Sequence, residues 1–212
     1  MTTENKDFNA AAASWDEKPE RVKLAGEVAE AIIRQVAPKR TMKAADFGCG
    51  TGLVSLRLQP LVASITGIDS SPGMLDILKA KIAQGKLTNI DTRLIDVEKG
   101  ETLTGEYHLI TSSMTLHHMR QPSALLRQLG AALVPGGILA IADLEPDGGH
   151  FHDDNTGVFH HGFDRAAVRA MFTEAGFADI RDSRATEITK SAADGSKRTF
   201  SVFLVSGRKV RP

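Results

Sequence analysis

The chain lacks an excess of charge of either sign. Lysine and arginine together number 26, aspartate and glutamate also number 26, and the formal net charge is zero. There is therefore no overall electrostatic field of the kind that attracts proteins to nucleic acid or to anionic lipid. We expect a small or neutral substrate and no nucleic-acid partner.

Cysteine and long apolar runs are also scarce. Cys49 is the one cysteine of the chain, which excludes an intramolecular disulfide and argues against a cysteine-based metal site. The longest apolar stretches, such as 137–142, are far shorter than the roughly 20 residues that cross a bilayer. Because the N-terminus is polar and unlike a signal peptide, the expectation is a cytoplasmic protein without a transmembrane segment.

The residues that are present suit one α/β domain spanning 1–212, since 42% are hydrophobic and 25% are charged. Short apolar runs typical of strands alternate with helical patterns. Strands are predicted over 42–47, 64–68, 90–95, 107–112 and 138–144, and helices over 20–36, 51–59, 72–84 and 122–133. This alternation predicts parallel strands with helices on both faces of the sheet.

The last third of the chain has a different pattern. A helix is predicted over 164–175 and is followed by β-rich runs over 180–189 and 198–206. The sequence Ala-Ala-Asp-Gly-Ser at 192–196 has the composition of a hairpin turn. These features predict a parallel sheet that ends in an antiparallel hairpin.

The helix predicted over 72–84 carries signals at both ends. Ser70 or Ser71 can cap its start, and Pro72 suits the first turn. Gly85 is predicted to close the helix in a left-handed conformation.

A glycine-rich turn follows the first strand. It reads Asp-Phe-Gly-Cys-Gly-Thr-Gly over 46–52, with glycines at alternate positions. Glycine allows otherwise forbidden dihedral angles and lets a ligand approach the backbone. A dinucleotide fingerprint needs its third glycine where Leu53 stands, and a phosphate-binding P-loop needs a lysine and a hydroxyl that the next residues lack. Both phosphate-binding interpretations are therefore weakened.

The run 46–52 instead resembles the glycine-rich signature of class I S-adenosylmethionine (SAM) dependent methyltransferases. The stretch Gly-Ile-Asp-Ser-Ser-Pro-Gly-Met at 67–74 and the Leu-Val-Pro-Gly-Gly turn at 133–137 resemble further elements of that family, in its ubiquinone and menaquinone biosynthesis branch. The resemblance implies a Rossmann-like, mostly parallel seven-stranded sheet of order 3-2-1-4-5-7-6 with strand 7 antiparallel. It also implies that 1–37 form a cap segment and helix, and that 145–163 form a loop on the substrate side.

The resemblance assigns residues to the cofactor. Asp69 becomes the ligand of the ribose hydroxyls, Asp96 and the Val97 amide lie beside adenine, and Trp15 belongs to an N-terminus that folds over SAM. The complete expected set is Asp46, Gly48, Cys49, Gly50, Gly52, Asp69, Ser70, Met74, Asp96, Val97, Ser113 and Trp15. Open alternatives are a helix-capping role for Asp69, a cap or solvated turn for Asp96, and plain packing for Trp15. The position of Asp69 would also suit a nicotinamide ribose.

Six of the seven histidines lie in two regions, around 117–118 and within 150–161. Imidazole accepts protons near neutral pH, so His117, His118, His160 and His161 are candidate general bases. For His117 and His118, a packing or capping role at a helix start is the open alternative. A metal site using His150 and His152 with the two aspartates that follow is an alternative, but the paired acids and glycines equally describe a solvated loop, and we assign no metal.

These expectations lead to one main hypothesis, a methyltransferase that moves a methyl group from SAM to a small-molecule acceptor and releases S-adenosylhomocysteine. An NAD-dependent oxidoreductase is the rival enzyme. The alternative that is not an enzyme is a catalytically inactive module that binds SAM or a protein partner.

Overall fold

A seven-stranded sheet forms the centre of the protein. The computed structural model describes residues 7–191 and 197–210. Its strands are β1 Lys43–Phe47, β2 Ser64–Asp69, β3 Ile90–Leu94, β4 Tyr107–Ser113, β5 Leu133–Leu144, β6 Phe177–Ser191 and β7 Lys197–Lys209. Their order is 3-2-1-4-5-7-6, and β7 pairs antiparallel with both β5 and β6. The predicted fold class is confirmed.

Helices cover both faces of the sheet. They are α1 Phe8–Ala12, α2 Pro19–Val36, α3 Ser55–Leu58, α4 Pro72–Gly85, α5 Pro122–Ala131 and α6 Arg165–Glu174. Neighbouring residues of a strand point to opposite faces, so Leu109 of β4 packs in the core under α2, α3 and α4, and Ile110 packs under α5 and α6. Because a parallel strand is buried on both faces, its sequence is a nearly continuous apolar run. This burial explains the short apolar runs from which the strands were predicted.

The predicted helix over 51–59 is wrong in its length. Only Ser55–Leu58 is α-helical, and a 3-10 turn, Gln59–Leu61, follows it. Gly52 has a φ of +83°, and this left-handed conformation is incompatible with an α-helix, so the helix begins after the glycine turn.

Two other local predictions are corrected. Gly85 lies inside α4, and Lys86 takes the left-handed conformation with its N–H directed at the carbonyls of Ile82 and Ala83. The stretch 133–137 is already the start of β5, with Leu133 opposite Tyr107 and Gly136 at a φ of +79°. Pairing with β4 begins at Leu133 and resumes at Ile138 after a register shift. The predicted turn is therefore an irregularity within β5.

Strands β6 and β7 are longer than their predicted runs, because each continues to pair with the other toward 177 and 209. The predicted turn at 192–196 lies outside the described residues. Within 7–191 and 197–210, no helix is long and apolar enough to span a membrane.

Candidate functional site

The glycine-rich turn joins β1 to α3 at the carboxyl edge of the sheet. Gly48, Gly50 and Gly52 all have positive φ angles, of 69°, 53° and 83°. A Cβ at Gly48 would collide with the Thr115 side chain, and one at Gly52 would collide with Leu78. Backbone conformation and close packing thus both require glycine here. Gly52 faces Leu78 and is not among the described residues that line the cavity, so its expected contact with the cofactor is not supported.

Asp69 ends β2 and is fixed against the glycine turn. Its carboxylate accepts hydrogen bonds from the Gly50 amide at 2.8 Å and the Ser71 amide at 2.9 Å. Burial raises the pKa of Asp69, and the backbone hydrogen bonds counteract that rise. The cap of α4 is Ser71, whose hydroxyl accepts from the Met74 amide. Since a carboxylate has about four lone-pair sites, Asp69 retains acceptor capacity for a ligand in the adjoining cavity.

Asp46 ends β1 in a more enclosed position. Its two oxygens accept hydrogen bonds from the Ser55 hydroxyl at 2.5 Å and the Thr111 hydroxyl at 3.0 Å. Burial raises its pKa to about 6, although both hydroxyl bonds favour the charged form. Asp46 therefore ties β1, β4 and α3 together behind the glycine turn.

Asp96 follows β3 and caps a short 3-10 helix, Val97–Lys99. Its side chain accepts from the Glu98 amide at 3.1 Å and forms an ion pair with Lys99 at 2.9 Å. Both Asp96 and Val97 line the same cavity as Asp69. The geometry therefore accommodates a capping role and an adenine-facing role at the same residue.

The N-terminal segment packs against these turns. Asp16 accepts from the Thr51 hydroxyl at 2.6 Å and pairs with Lys81 at 2.5 Å. The side-chain oxygen of Asn9 accepts a hydrogen bond from the Ser71 hydroxyl at 2.7 Å.

Trp15 of the same segment lines the cavity, and the Arg21 guanidinium lies 3.8 Å from the centroid of the Trp15 ring. This segment consequently closes one side of the cavity.

A buried histidine and aspartate lie beyond the ends of β4 and β5. His117 is 1% exposed and Asp143 is fully buried. The His117 Nδ1 lies 2.7 Å from an Asp143 oxygen, which also accepts from the Leu144 amide at 2.7 Å. Burial alone would raise the pKa of Asp143, but the charge and hydrogen bonds of His117, with the Leu144 amide, lower it below its usual value. The carboxylate is therefore ionised and accepts a hydrogen bond from the His117 Nδ1–H.

His118 and His152 flank this pair. The His118 Nδ1 lies 2.7 Å from the Gly157 carbonyl, and the His152 Nε2 lies 3.1 Å from the His117 Nε2. We call His117, His118 and His152 the histidine cluster. Phe8 of α1 stacks edge-on against His118 with ring centroids 5.3 Å apart.

His160 lies next to the histidine cluster, because its backbone N–H donates to the His117 carbonyl at 3.2 Å, but neither the His160 ring nor the His161 ring is part of the cluster. The His160 Nε2 is 3.0 Å from the Met119 carbonyl, and its ring packs against Phe163. Neither residue is among the described residues that line the cavity, whereas His117, His118 and His152 are. The expected base roles of His160 and His161 are therefore not supported by their position.

Three residues of the site were not predicted from the sequence. Asp143 carried a signal, since it is an acid within the apolar run 138–144. His152 was considered only with its sequence neighbours. Lys190, whose Nζ donates to the Phe151 carbonyl at 2.6 Å, comes from β6, and only the fold brings it to the cavity.

One cavity of about 810 Å³ connects the glycine turn, the strand-end acids and the histidine cluster. Its lining includes the expected residues Trp15, Asp46, Gly48, Cys49, Gly50, Asp69, Ser70, Met74, Asp96, Val97, Ser113, His117 and His118. Burial raises the pKa of the Cys49 thiol, so this residue is a packing group and not a thiolate. The volume lies at the upper end of the range for small-molecule sites, which is about 300 to 1,000 Å³.

Comparison with known sequences identifies relatives. A family profile described as a methyltransferase domain matches residues 21–182. An uncharacterized methyltransferase of Schizosaccharomyces pombe is 30% identical over 156 residues, covering 66% of this chain and 55% of that protein. The ubiquinone biosynthesis O-methyltransferase of Nitrosococcus oceani is 33% identical over 106 residues, covering 50% of this chain and 44% of that protein. The chain thus spans about half the length of these curated relatives.

A solved structure shares the fold at low sequence identity. Phosphoethanolamine N-methyltransferase 2 of Haemonchus contortus, in complex with S-adenosyl-L-methionine, superposes with a TM-score of 0.71 and 14% identity. The match covers 97% of this chain and 60% of that chain.

Proposed function

The chain belongs to the family of methyltransferase domains, and from this premise we propose that it transfers a methyl group from SAM to a small-molecule acceptor. The observation that carries the proposal is the position of Asp69. Its carboxylate ends β2 beside the glycine turn and faces the cavity, held by the Gly50 and Ser71 amides. Ligands of open parallel sheets bind at this edge.

The cofactor is proposed to lie along the carboxyl ends of β1 to β4. Asp69 accepts hydrogen bonds from the ribose hydroxyls, and Asp96 with the Val97 amide receives the adenine. Gly48 and Gly50 let the methionine part lie close to the backbone, next to Cys49, Ser70, Met74 and Ser113. Asp46 supports this region from behind through Ser55 and Thr111. Trp15 covers the cofactor from the N-terminal segment.

The acceptor is proposed to bind at the histidine end of the same cavity. Methyl transfer is an in-line displacement, so the enzyme must hold acceptor and methyl group collinear at about 3 Å and exclude water. The lining here combines aromatic rings with polar groups, including Phe151, Phe159 and Lys190. This composition supports a small organic acceptor, as does the ubiquinone O-methyltransferase among the relatives.

His117 is oriented for proton removal from an oxygen or nitrogen acceptor. Asp143 fixes its Nδ1 as the protonated nitrogen, so the lone pair of the neutral ring lies on Nε2. A buried aspartate that orients a histidine also stabilises the imidazolium formed when a proton is taken. His117 and His118 are therefore the proposed catalytic residues.

Titration calorimetry tests the cofactor assignment directly. Purified protein is titrated with SAM and, separately, with NADH. We expect SAM to bind and NADH not to bind. Binding of NADH without SAM would favour an NAD-dependent oxidoreductase and remove the proposal.

Release of S-adenosylhomocysteine tests the catalytic part. The protein is incubated with SAM and a panel of phenols, amines, thiols and carboxylic acids. We expect release above the rate without acceptor for at least one hydroxyl or amine compound. SAM binding with no release across the panel would favour the idle SAM-binding module.

A further inference from the structure

The histidine cluster joins residues that are distant in sequence at one point of the cavity wall. His117 and His118 follow β4, and His152 comes from the loop after β5. One ring nitrogen from each histidine lies within 4.8 Å of the other two. The Nε2 atoms of His117 and His152 are 3.1 Å apart. Three imidazole nitrogens thus lie near one another, and two of them are already at the spacing of ligands that share an ion.

The hydrogen bonds made by the Nδ1 atoms of His117 and His118 determine which ring nitrogen is left to bind a ligand. Asp143 accepts from the His117 Nδ1 and the Gly157 carbonyl accepts from the His118 Nδ1. A carbonyl or an ionised carboxylate only accepts, so both Nδ1 atoms carry the proton. In the neutral rings the lone pairs are therefore on Nε2. For His152 the converging atom is also Nε2, on the evidence of its 3.1 Å distance to His117.

We propose that the histidine cluster binds one divalent transition-metal ion of the zinc class. A tetrahedral ion with Zn–N bonds of about 2.0–2.1 Å places its ligand nitrogens about 3.3 Å apart, close to the 3.1 Å between His117 and His152. Metal-bound histidines commonly donate their other N–H to a carboxylate or a backbone carbonyl. Asp143 and the Gly157 carbonyl occupy those positions, and an all-imidazole set favours zinc, copper or nickel over magnesium.

The ion has three protein ligands in this arrangement and keeps a position open toward the cavity. An open fourth position distinguishes catalytic zinc sites from structural ones. This role, unlike the binding of the ion, rests on the proposed methyltransferase function: the open position takes the acceptor heteroatom opposite the cofactor. With the ion present, His117 and His118 would act as ligands in place of bases. Coordination to the ion would lower the pKa of the acceptor, so that its proton is released to solvent as the acceptor binds.

Metal titration of the whole chain tests the proposal. Protein stripped with EDTA and dialysed is titrated with Zn²⁺ by calorimetry and with Co²⁺ by visible absorption. We expect one ion per chain and the intense visible bands of tetrahedral cobalt. Absence of saturable binding, or several weak ions per chain, would overturn the proposal.

Matched variants locate the ion. We expect His152→Ala to weaken Zn²⁺ binding by more than about 100-fold, and Asp143→Asn, which alters a positioning residue, by about 10- to 100-fold. His150→Ala is the control, since His150 is exposed in the same loop and does not line the cavity. Equal Zn²⁺ affinity in all three variants would contradict the assignment.

SAM titration of the same samples separates this proposal from the previous one. His152→Ala that binds SAM like wild type shows a folded chain that has lost only the ion site. If His152→Ala does not fold, His152→Gln, which keeps a polar side chain of similar length, replaces it with the same expected loss. Wild-type protein that binds zinc but not SAM would refute the proposed function and leave the metal site standing.

Discussion

The cofactor end of the cavity is formed mainly by the backbone of one continuous turn, whereas the histidine end is formed by side chains from separate segments of the chain. At the cofactor end, Gly48 and Gly50 lie within one turn, and Asp69 bonds to that turn directly. At the histidine end, His117, Asp143 and His152 come from three different stretches. Local backbone geometry can be recognised in a sequence, while a side-chain cluster depends on how the strands are ordered.

The two ends also differ in how their charges are held. Asp69 is held by backbone amides and Asp46 by two neutral hydroxyls, and burial raises the pKa of both. Asp143 has an imidazole beside it, and its pKa is lowered. Variants at the two ends should therefore differ in the size and pH dependence of their effects.

The largest effect is expected at the histidine end, from Asp143→Ala. The variant leaves the His117 Nδ1 and the amides of His117 and Leu144 without their buried acceptor. We expect the free energy of unfolding to fall by about 3 to 5 kcal/mol, measured by urea denaturation. Asp91→Ala, at an exposed aspartate of β3, is the control and should change stability by less than about 0.5 kcal/mol. A change below 1 kcal/mol at Asp143 would contradict this account of the pair.

Gly48→Ala tests the backbone-built end. The added Cβ meets Thr115 at a φ of +69°. Conformational strain of about 1–3 kcal/mol and overpacking of similar size predict a loss of about 2 to 4 kcal/mol of stability. Gly100→Ala is the matched control, because its φ is +86° but nothing lies within 4 Å of the added Cβ. If both variants lose the same stability, the close packing at Gly48 is irrelevant.

Asp46 predicts a pH dependence specific to the cofactor end. Its folded-state pKa of about 6 lies above the ordinary 3.8, so between these values the folded state binds more protons than the unfolded state. The free energy of unfolding therefore falls as pH rises from about 4 to 6, by about 3 kcal/mol from this group. Asp46→Asn should remove that contribution, as seen in urea denaturation across the range. An unchanged pH profile in the variant would show that Asp46 titrates normally.

The smallest of these effects is expected for Asp69→Ala, and the quantity measured is the affinity for SAM. Loss of hydrogen bonds to the charged carboxylate should weaken SAM binding by about 1.5 to 3 kcal/mol, measured by calorimetry. Asp76→Ala, at an exposed residue of α4, is the control and should bind like wild type. Unchanged affinity in Asp69→Ala would remove this residue from the ribose site and leave the cofactor end defined by its glycines alone.

The sequence predicted well the features that depend on local structure, namely the positions of the strands and the motifs that come directly after them. Alternating apolar runs predicted the strands, and the motifs around Gly48, Asp69 and Leu133 carried the resemblance that implied the strand order. Boundaries were less well predicted: Gly52 in a left-handed conformation delays α3, and Lys86 closes α4 in place of Gly85. Such details depend on competition between neighbouring hydrogen bonds, which periodicity does not encode.

The same distinction applies to the histidines. Their clustering in sequence was visible, but it did not show which rings converge. His160 and His161 were candidate bases, yet the His160 ring contacts the Met119 carbonyl and neither residue is among the described residues that line the cavity. His152 and Asp143 meet His117 because β4 and β5 are adjacent parallel strands whose ends, with the loops that follow, lie at the same edge.

The amino-acid sequence by itself determined the alternation of strands and helices, the need for glycine after β1 and the acids that end the strands, because these depend on short-range dihedral preferences and apolar periodicity. Only the tertiary structure decided which histidines converge, which aspartate orients them and that β6 delivers Lys190 to the cavity. Those contacts join residues far apart along the chain, and it is the ordering of the strands in the sheet that brings them together.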